Sequence, residues 1–223
     1  KRDINLSIYY LTKADDQNYK DAQYNLGYIY YNENHIKKSI EYCMLAAKQN
    51  HPKAQYFLGF CYFNGIEVKK DMYKAFQYFS ESAKQNIPES IGFLGYYYIT
   101  GNVVKQDINK GIKYITIAAH ENHLKSQFDL GLIYYQGFYV PQNIKKALNY
   151  LKLAAGKYNT EASYLLGNIY YEGKYVMQDI NEAIKYYKIA SSFNCNHAKN
   201  NLGIIYKHGF GVKKNISYAS ELF

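Results

Sequence analysis

Histidine, cysteine and glycine are the residues whose types and spacing in this sequence could support metal binding, catalysis or phosphate binding. His120 and His123 form an H-x-x-H pair at the end of a predicted helix, but no carboxylate or cysteine with ligand spacing accompanies them. Gly209-Phe210-Gly211 lacks both the preceding strand and the Gly-Lys-Ser or Gly-Lys-Thr ending of a phosphate-binding loop. The sequence therefore predicts no catalytic residue, no metal site and no cofactor, and indicates a protein that is not an enzyme.

The cysteines indicate the redox environment. Cys43, Cys61 and Cys195 are odd in number and show no C-x-x-C spacing, so neither a disulfide framework nor a zinc site is predicted. We expect a reducing compartment such as the cytoplasm. No stretch approaches the roughly 18 uninterrupted apolar residues of a membrane span, so no transmembrane segment is predicted.

Aromatic residues and lysines supply the chemistry that remains. The 223 residues include 29 Tyr and 11 Phe, and the formal net charge is +9. Tyrosine combines a large apolar ring with a polar tip, which suits half-buried surfaces and interfaces. The positive charge would attract an acidic partner, but the lysines are spread through the chain instead of forming one basic run. Binding of nucleic acid is therefore the weaker alternative to binding of protein.

An internal repeat positions these aromatic residues. The Leu-Gly pair that marks it recurs at Leu26-Gly27, Leu58-Gly59, Leu94-Gly95, Leu130-Gly131, Leu166-Gly167 and Leu202-Gly203, with a spacing of 36 residues after the first step. A second glycine follows six residues later at Gly65, Gly101, Gly137, Gly173 and Gly209. An Asp or Asn then follows at Asp71, Asp107, Asn143, Asp179 and Asn215.

These positions predict a pair of helices in each repeat. The Leu-Gly glycine lies inside the first, or A, helix, where glycine costs about 1 kcal/mol relative to alanine, so we expect a close approach of the neighbouring helix there. The second glycine is predicted to end the A helix, and the Asp or Asn to cap the second, or B, helix. Asp179 with Glu182 also fits the capping-box pattern.

The pattern A-x-x-x-L-G-x-x-Y-x-x-G-x-x-V-x-x-D-x-x-x-A, which residues 54–83 show well, resembles the Sel1-like repeat, a relative of the tetratricopeptide repeat. The resemblance covers essentially the whole chain and implies an all-α, right-handed superhelical solenoid that serves as an adaptor in protein assemblies. We expect one solenoid over residues 1–223, with units at about 3–36, 37–70, 71–106, 107–142, 143–178 and 179–214 and a partial unit at 215–223. Because B-type helices are predicted at both ends, at about Asp3 to Asp16 and at Asn215 to Phe223, we expect a fragment of a longer repeat protein.

The candidate binding residues lie on the A-helix face opposite the buried small residue and leucine. They are Tyr24, Tyr28, Tyr31, Tyr56, Phe60, Phe63, Tyr96, Phe128, Tyr135, Tyr164 and Tyr171. Aromatic residues are enriched at binding hot spots, so we expect a concave groove that holds a segment of a partner protein. The alternative is that these rings fill the space between neighbouring helices.

The sequence thus favours a non-catalytic scaffold or adaptor. A basic nucleic-acid-binding module is the first alternative, and it would show strongly salt-dependent affinity. A regulatory repeat region of a larger enzyme is the second. Cysteine-rich members of the resembled family have been linked to β-lactam binding, but this chain lacks their paired cysteines.

Overall fold

The computed structural model describes residues 4–15 and 17–223, and this part of the chain contains thirteen α-helices and no strand. The A helices are α2 (Lys20–Asn32), α4 (Pro52–Asn64), α6 (Pro88–Thr100), α8 (Leu124–Gln136), α10 (Thr160–Glu172) and α12 (Asn196–His208). The B helices are α1 (Ile4–Asp15), α3 (Ile36–Lys48), α5 (Met72–Ala83), α7 (Ile108–His120), α9 (Ile144–Ala155), α11 (Ile180–Ser192) and α13 (Ile216–Leu222). The strict alternation confirms the predicted all-α repeat of helix pairs. Asp3 and Asp16, the predicted limits of the first helix, lie outside the described residues.

The chain divides into two compact units, Lys1–Glu121 and Asn122–Phe223. Unit 1 contains α1 to α7 and unit 2 contains α8 to α13. Within each unit every helix packs against the next one along the chain. The small residue and the leucine of each A helix lie in the core, as Ala54 and Leu58 show in unit 1 and Ala162 and Leu166 in unit 2.

Both predicted helix-end signals are confirmed. From α4 onward each A helix ends at the second glycine in the left-handed conformation, with φ of 75° at Gly65 and 73° at Gly137. The Asp or Asn caps the next helix; the Lys110 N–H, for example, donates to Asp107 Oδ1 at 2.9 Å. At Asp179 the capping box is only half formed, because the Glu182 N–H donates to Asp179 while the Glu182 carboxylate accepts from Lys185.

The Leu-Gly glycine lies where the following B helix approaches most closely, as predicted. A Cβ atom on Gly95 would lie 2.5 Å from Ile115 Cγ1 and 2.9 Å from the carbonyl oxygen of Gly111. A Cβ on Gly111, which takes the position of Ala75 in the preceding repeat, would in turn lie 2.9 Å from the carbonyl oxygen of Gly95. The backbones of α6 and α7 are thus in contact through two facing glycines, and this geometry fixes the distance between the helices.

Candidate functional site

Five of the candidate residues line one cleft in unit 1. Its volume is about 330 Å³, and it lies against α2, α3 and α4. The candidates that line it are Tyr24, Tyr28, Tyr31, Tyr56 and Phe60, and they are joined there by Ser39, Cys43, Lys53 and Phe57. A cleft with an apolar aromatic lining and few polar groups is typical of a site that binds a side chain or a small organic group.

The spacing of residues on α2 places three tyrosines along this cleft. Tyr24 and Tyr28, one helical turn apart, have ring centroids 6.5 Å apart and planes inclined by 29°. Tyr31 meets Phe57 of α4 edge-on at 5.4 Å. Tyr28 is 56% exposed and Tyr31 is 42% exposed, although each contacts another aromatic ring. These two side chains therefore retain apolar surface that a ligand could cover.

The floor of the cleft is chemically inert. Cys43 is buried below the rings, where its Sγ lies 2.6 Å from the position that a Cβ on Gly27 would take. Burial is the main cause that raises the pKa of the Cys43 thiol to about 12, and the nearby Cys61 adds to it. The thiol is consequently protonated at neutral pH and is not a nucleophile. This part of the cleft can exclude water but cannot perform acyl transfer.

One lysine lies at the rim of the cleft, and a carboxylate of the next repeat acts on a tyrosine of its lining. Lys53, at the first turn of α4, is exposed and lines the cleft. Glu89, at the corresponding position of α6, acts on the cleft from the next repeat: burial is the main cause that raises the pKa of Tyr56, and the Glu89 carboxylate adds to it.

The candidates between α4 and α6 are partly core. The centroid of the Phe63 ring lies 5.9 Å from that of Tyr96 and 5.1 Å from that of Phe93. Tyr56 lies 6.1 Å from Phe79, a fully buried ring of α5. Both rings therefore support the fold, and Tyr56 also lines the cleft, so its replacement would combine two effects.

In unit 2 the remaining candidates pack on the core of that unit and are half-buried. Phe128 and Tyr135 lie against the cluster that includes Leu166, and Tyr164 and Tyr171 lie against the cluster that includes Tyr187. Tyr187 is fully buried, and its hydroxyl bonds to Asn168 Oδ1 at 2.7 Å.

Two aromatic residues of this region were missed by the sequence analysis. Phe57 lines the cleft, and Phe93 stacks on Phe79 with centroids 4.2 Å apart. Both stand three residues after the small residue of their A helix, a position next to the face that was assigned to the groove. The recurrence of Phe at this offset in two consecutive repeats was the available signal.

The described residues contain no cluster of three or more His, Cys, Asp or Glu side chains that could hold a metal ion. His120 is the last residue of α7, and His123 precedes α8, where its Nδ1 lies 2.8 Å from Ser126 Oγ. Among the described helices, none combines the length and the apolar character that crossing a membrane requires.

His51 caps the N-terminus of α4, one of the helices that form the cleft. Its Nδ1 accepts the Ala54 N–H at 3.2 Å, so this histidine caps the helix, and its Nε2 lies 3.3 Å from Asp21 of α2. The Tyr24 ring stacks on the imidazole with centroids 4.4 Å apart. Burial is the main cause that lowers the pKa of His51, and Lys20 and Lys53 also lower it, while Asp21 raises it. The fold therefore prefers the neutral imidazole.

We expect this preference to make unit 1 less stable in mild acid. Because the folded-state pKa is lowered from 6.5, the stabilisation is complete above pH 6.5 and is lost as the pH falls toward the folded-state value. His51→Asn should flatten this part of the stability profile, since Asn159 caps α10 in the same way by accepting the Ala162 N–H. Chemical denaturation of both proteins from pH 7.5 to 5 measures the effect, and profiles of equal slope would contradict it.

The sequence pattern of the chain matches the Sel1 repeat in seven segments. They are residues 1–19, 20–51, 52–87, 88–123, 124–158, 160–192 and 196–223. Among curated proteins, none matches the sequence significantly.

Solved structures share the fold. A Sel1 repeat protein from Oxalobacter formigenes is 30% identical with a TM-score of 0.85, and the match covers 96% of this chain and 89% of that one. The protective antigen c5321 of uropathogenic Escherichia coli is 25% identical with a TM-score of 0.86 over 96% of this chain. This chain spans 47% of that antigen. The immunity protein Pa5087 of Pseudomonas aeruginosa is 23% identical with a TM-score of 0.55, and the match covers 83% of this chain and 67% of that one.

The repeat match spans nearly the whole chain, and its helix pairs are those that the Leu-Gly glycine, the capping glycine and the Asp or Asn cap define. Sel1 repeats generally serve as scaffolds for protein interaction. The chain belongs to the Sel1 repeat family.

Proposed function

We propose that the protein is a non-catalytic scaffold whose unit 1 holds a segment of a partner protein in the aromatic cleft. The observation that carries the proposal is the cleft of about 330 Å³ at which Tyr28 and Tyr31 leave large parts of their rings exposed. Tyrosine buries a large area on binding at little cost in side-chain entropy, and its hydroxyl can bond to a peptide backbone. These properties suit recognition of an extended segment.

The size and charge of the cleft indicate which side chains the bound partner segment would carry. The volume accommodates one or two apolar side chains of the partner, and the exposed Lys53 ammonium at the rim favours a carboxylate nearby. The general scaffold role of Sel1 repeats supports a protein partner.

Selection of random peptides displayed on phage tests the proposal, because it requires no identified partner. We expect the protein to enrich peptides that share an apolar anchor, and we expect the double variant Tyr28→Ala/Tyr31→Ala to bind those peptides about tenfold more weakly, as removal of hot-spot aromatic residues does. Fluorescence anisotropy with a labelled selected peptide gives the dissociation constants.

The matched control is Tyr73→Ala, because Tyr73 is also an exposed tyrosine of unit 1 but lies on α5 and does not line the cleft. It should leave the affinity unchanged. The scaffold proposal for this cleft fails if no peptide is enriched, or if the selected peptides bind the double variant as tightly as the unchanged protein. Circular dichroism confirms that both variants keep their helical content.

A further inference from the structure

The turns between A and B helices of unit 2 expose large apolar side chains. Phe138 in the turn after α8 is 79% exposed, Met177 in the turn after α10 is 90% exposed, and Phe210 in the turn after α12 is 45% exposed. Tyr139 and Tyr175 of the same turns are exposed as well. Isolated exposed apolar residues are common, but several at the tips of consecutive turns form a feature that the fold itself does not explain.

These three turns lie side by side. Tyr175 of the second turn contacts Tyr135, which precedes the first turn, edge-on at 5.7 Å, and the Gln142 side chain of the first turn donates to the carbonyl oxygen of the same Tyr135 at 2.7 Å. A Cβ on Gly211 of the third turn would lie 2.8 Å from Ile180, the first residue after the second turn. The exposed tips therefore belong to one continuous edge of unit 2, which we call the turn edge (residues 136–143, 172–179 and 207–215).

The repeat does not require apolar residues at these tips. Asn102 and Lys174 occupy the position of Phe138 and Phe210, directly after the capping glycine. Lys69, Lys105 and Lys213 occupy the position of Met177, directly after the valine of the repeat pattern. All of these polar equivalents are exposed. Folding thus tolerates charge at each site, and the apolar residues need another explanation.

Lysines accompany two of the three apolar tips, in the turns of Met177 and Phe210. Lys174, Lys207, Lys213 and Lys214 are exposed on the turn edge, against the carboxylates of Glu172 and Asp179. The Asp179 carboxylate already accepts the Glu182 N–H as a helix cap. His208 stacks on Phe210 with centroids 5.3 Å apart. The edge therefore presents separated apolar tips within a net positive field.

We infer that the turn edge of unit 2 binds the surface of an anionic lipid bilayer, with Phe138, Met177 and Phe210 inserted among the headgroups. Separated Phe and Met tips suit shallow insertion, because a protein surface would instead need one contiguous complementary patch. Lysines near the tips attract anionic lipids, and such attraction combined with shallow apolar insertion gives reversible binding.

Co-sedimentation of the whole chain with vesicles tests the inference. We expect the protein to bind vesicles of 70% phosphatidylcholine and 30% phosphatidylserine at least about tenfold more tightly than vesicles of phosphatidylcholine alone. The triple variant Phe138→Asn/Met177→Lys/Phe210→Lys should bind the anionic vesicles at least about tenfold more weakly, although two of its substitutions add positive charge. Each substitution copies a residue that the chain carries at the same turn position, so the helical fold should persist.

The charge gained by the variant distinguishes insertion from simple attraction. If the variant binds anionic vesicles as tightly as the unchanged protein, or more tightly, the apolar tips do not insert and the inference is wrong. It is also wrong if the unchanged protein binds neither kind of vesicle. Analytical ultracentrifugation without lipid tests whether the turn edge instead binds a second copy of the chain. A dimer that the triple variant abolishes would show self-association and overturn the inference.

A fluorescent reporter keeps the test decisive if the triple variant does not fold. The chain contains no Trp, so Phe138→Trp introduces a single indole at the more exposed of the two phenylalanine tips. Its emission should shift to shorter wavelength with anionic vesicles, whereas Tyr73→Trp on α5 of unit 1 should show no shift. Equal behaviour of the two reporters would overturn the inference.

Discussion

A Gly95→Leu variant is expected to lose about 3 kcal/mol of unfolding free energy, at the upper end of the usual cost of overpacking. The first atom of the new side chain already meets an obstacle, because a Cβ would lie 2.5 Å from Ile115 Cγ1 and 2.9 Å from the Gly111 carbonyl oxygen. The isoleucine can change rotamer, but the carbonyl belongs to the backbone of α7. The two helices must therefore separate, and the apolar contacts beside the glycine are lost with them.

Thermal and urea denaturation followed by circular dichroism measure this effect. For a chain of this size about 3 kcal/mol corresponds to a fall in melting temperature of roughly 6–12 °C. Gly156→Ala is the matched control: Gly156 follows α9 in a right-handed helical conformation, which alanine adopts readily, so its stability should be unchanged or slightly higher. A melting temperature of Gly95→Leu equal to that of the unchanged protein would refute the close approach of α6 and α7.

The features that the sequence predicted well are those imposed by the backbone. A helix that ends through a left-handed residue favours glycine, as Gly65 and Gly137 show, and the B helices from α5 onward start at a side chain that accepts an N–H, as Asp107 shows. These features restrict the residue type, and they recur in each repeat after the first. They can therefore be recognised before the positions of the neighbouring helices are known.

The residue that covers the Leu-Gly glycine could not be predicted in the same way. In consecutive repeats it is Cys43, Phe79, Ile115, Leu151, Tyr187 and Phe223. The position requires only an apolar side chain that fills the space above the glycine, so volume matters and residue type does not. No single residue type identifies this position in the sequence, although it follows the Leu-Gly glycine by a constant 20 residues from Gly59 onward.

The sequence analysis also did not predict the backbone conformations and caps in the turns between B and A helices. A residue with positive φ recurs between B and A helices as Asn50, Asn86 and Asn122, and this regular Asn was an available signal. Tyr158 takes the same conformation with φ of 62°, against the usual preference of tyrosine. His51 caps α4 where Asn159 caps α10, and only the structure shows that the imidazole accepts the N–H.

The depth of the aromatic side chains separates groove from core, and helical spacing alone does not give it. A helical wheel assigns Tyr28 and Tyr56 to the same face, since each follows its small residue at one of the selected offsets. Tyr28 remains largely exposed, whereas Tyr56 packs beside the buried Phe79. The two residues stand at different offsets from the small residue: Tyr24, at the offset of Tyr56, is half-buried as Tyr56 is, whereas Tyr28 lies one turn further along α2 and is exposed.

Replacement of Phe79 by alanine is expected to cost about 3–5 kcal/mol, the usual range for a fully buried phenylalanine. The Phe79 ring has no exposed surface, stacks on Phe93 with planes 5° apart, and lies against Gly59, whose Cβ would come within 2.8 Å of it. Alanine would leave a cavity between α4, α5 and α6, and Tyr56 would lose the ring that supports it from below.

The control Phe79→Leu separates volume from aromatic stacking, since Leu151 fills the equivalent position of another repeat. We expect it to cost less than about 1.5 kcal/mol, the usual limit for volume-conserving apolar substitutions, and to preserve peptide binding in the cleft. Urea denaturation of both variants and anisotropy with the selected peptide measure the two effects. A cost for leucine equal to that for alanine would show that the Phe79–Phe93 stack itself holds the helices, and a negligible cost for alanine would contradict the burial of the ring. Because the same side chain closes the core and supports the cleft, loss of stability and loss of binding should rise together across the series.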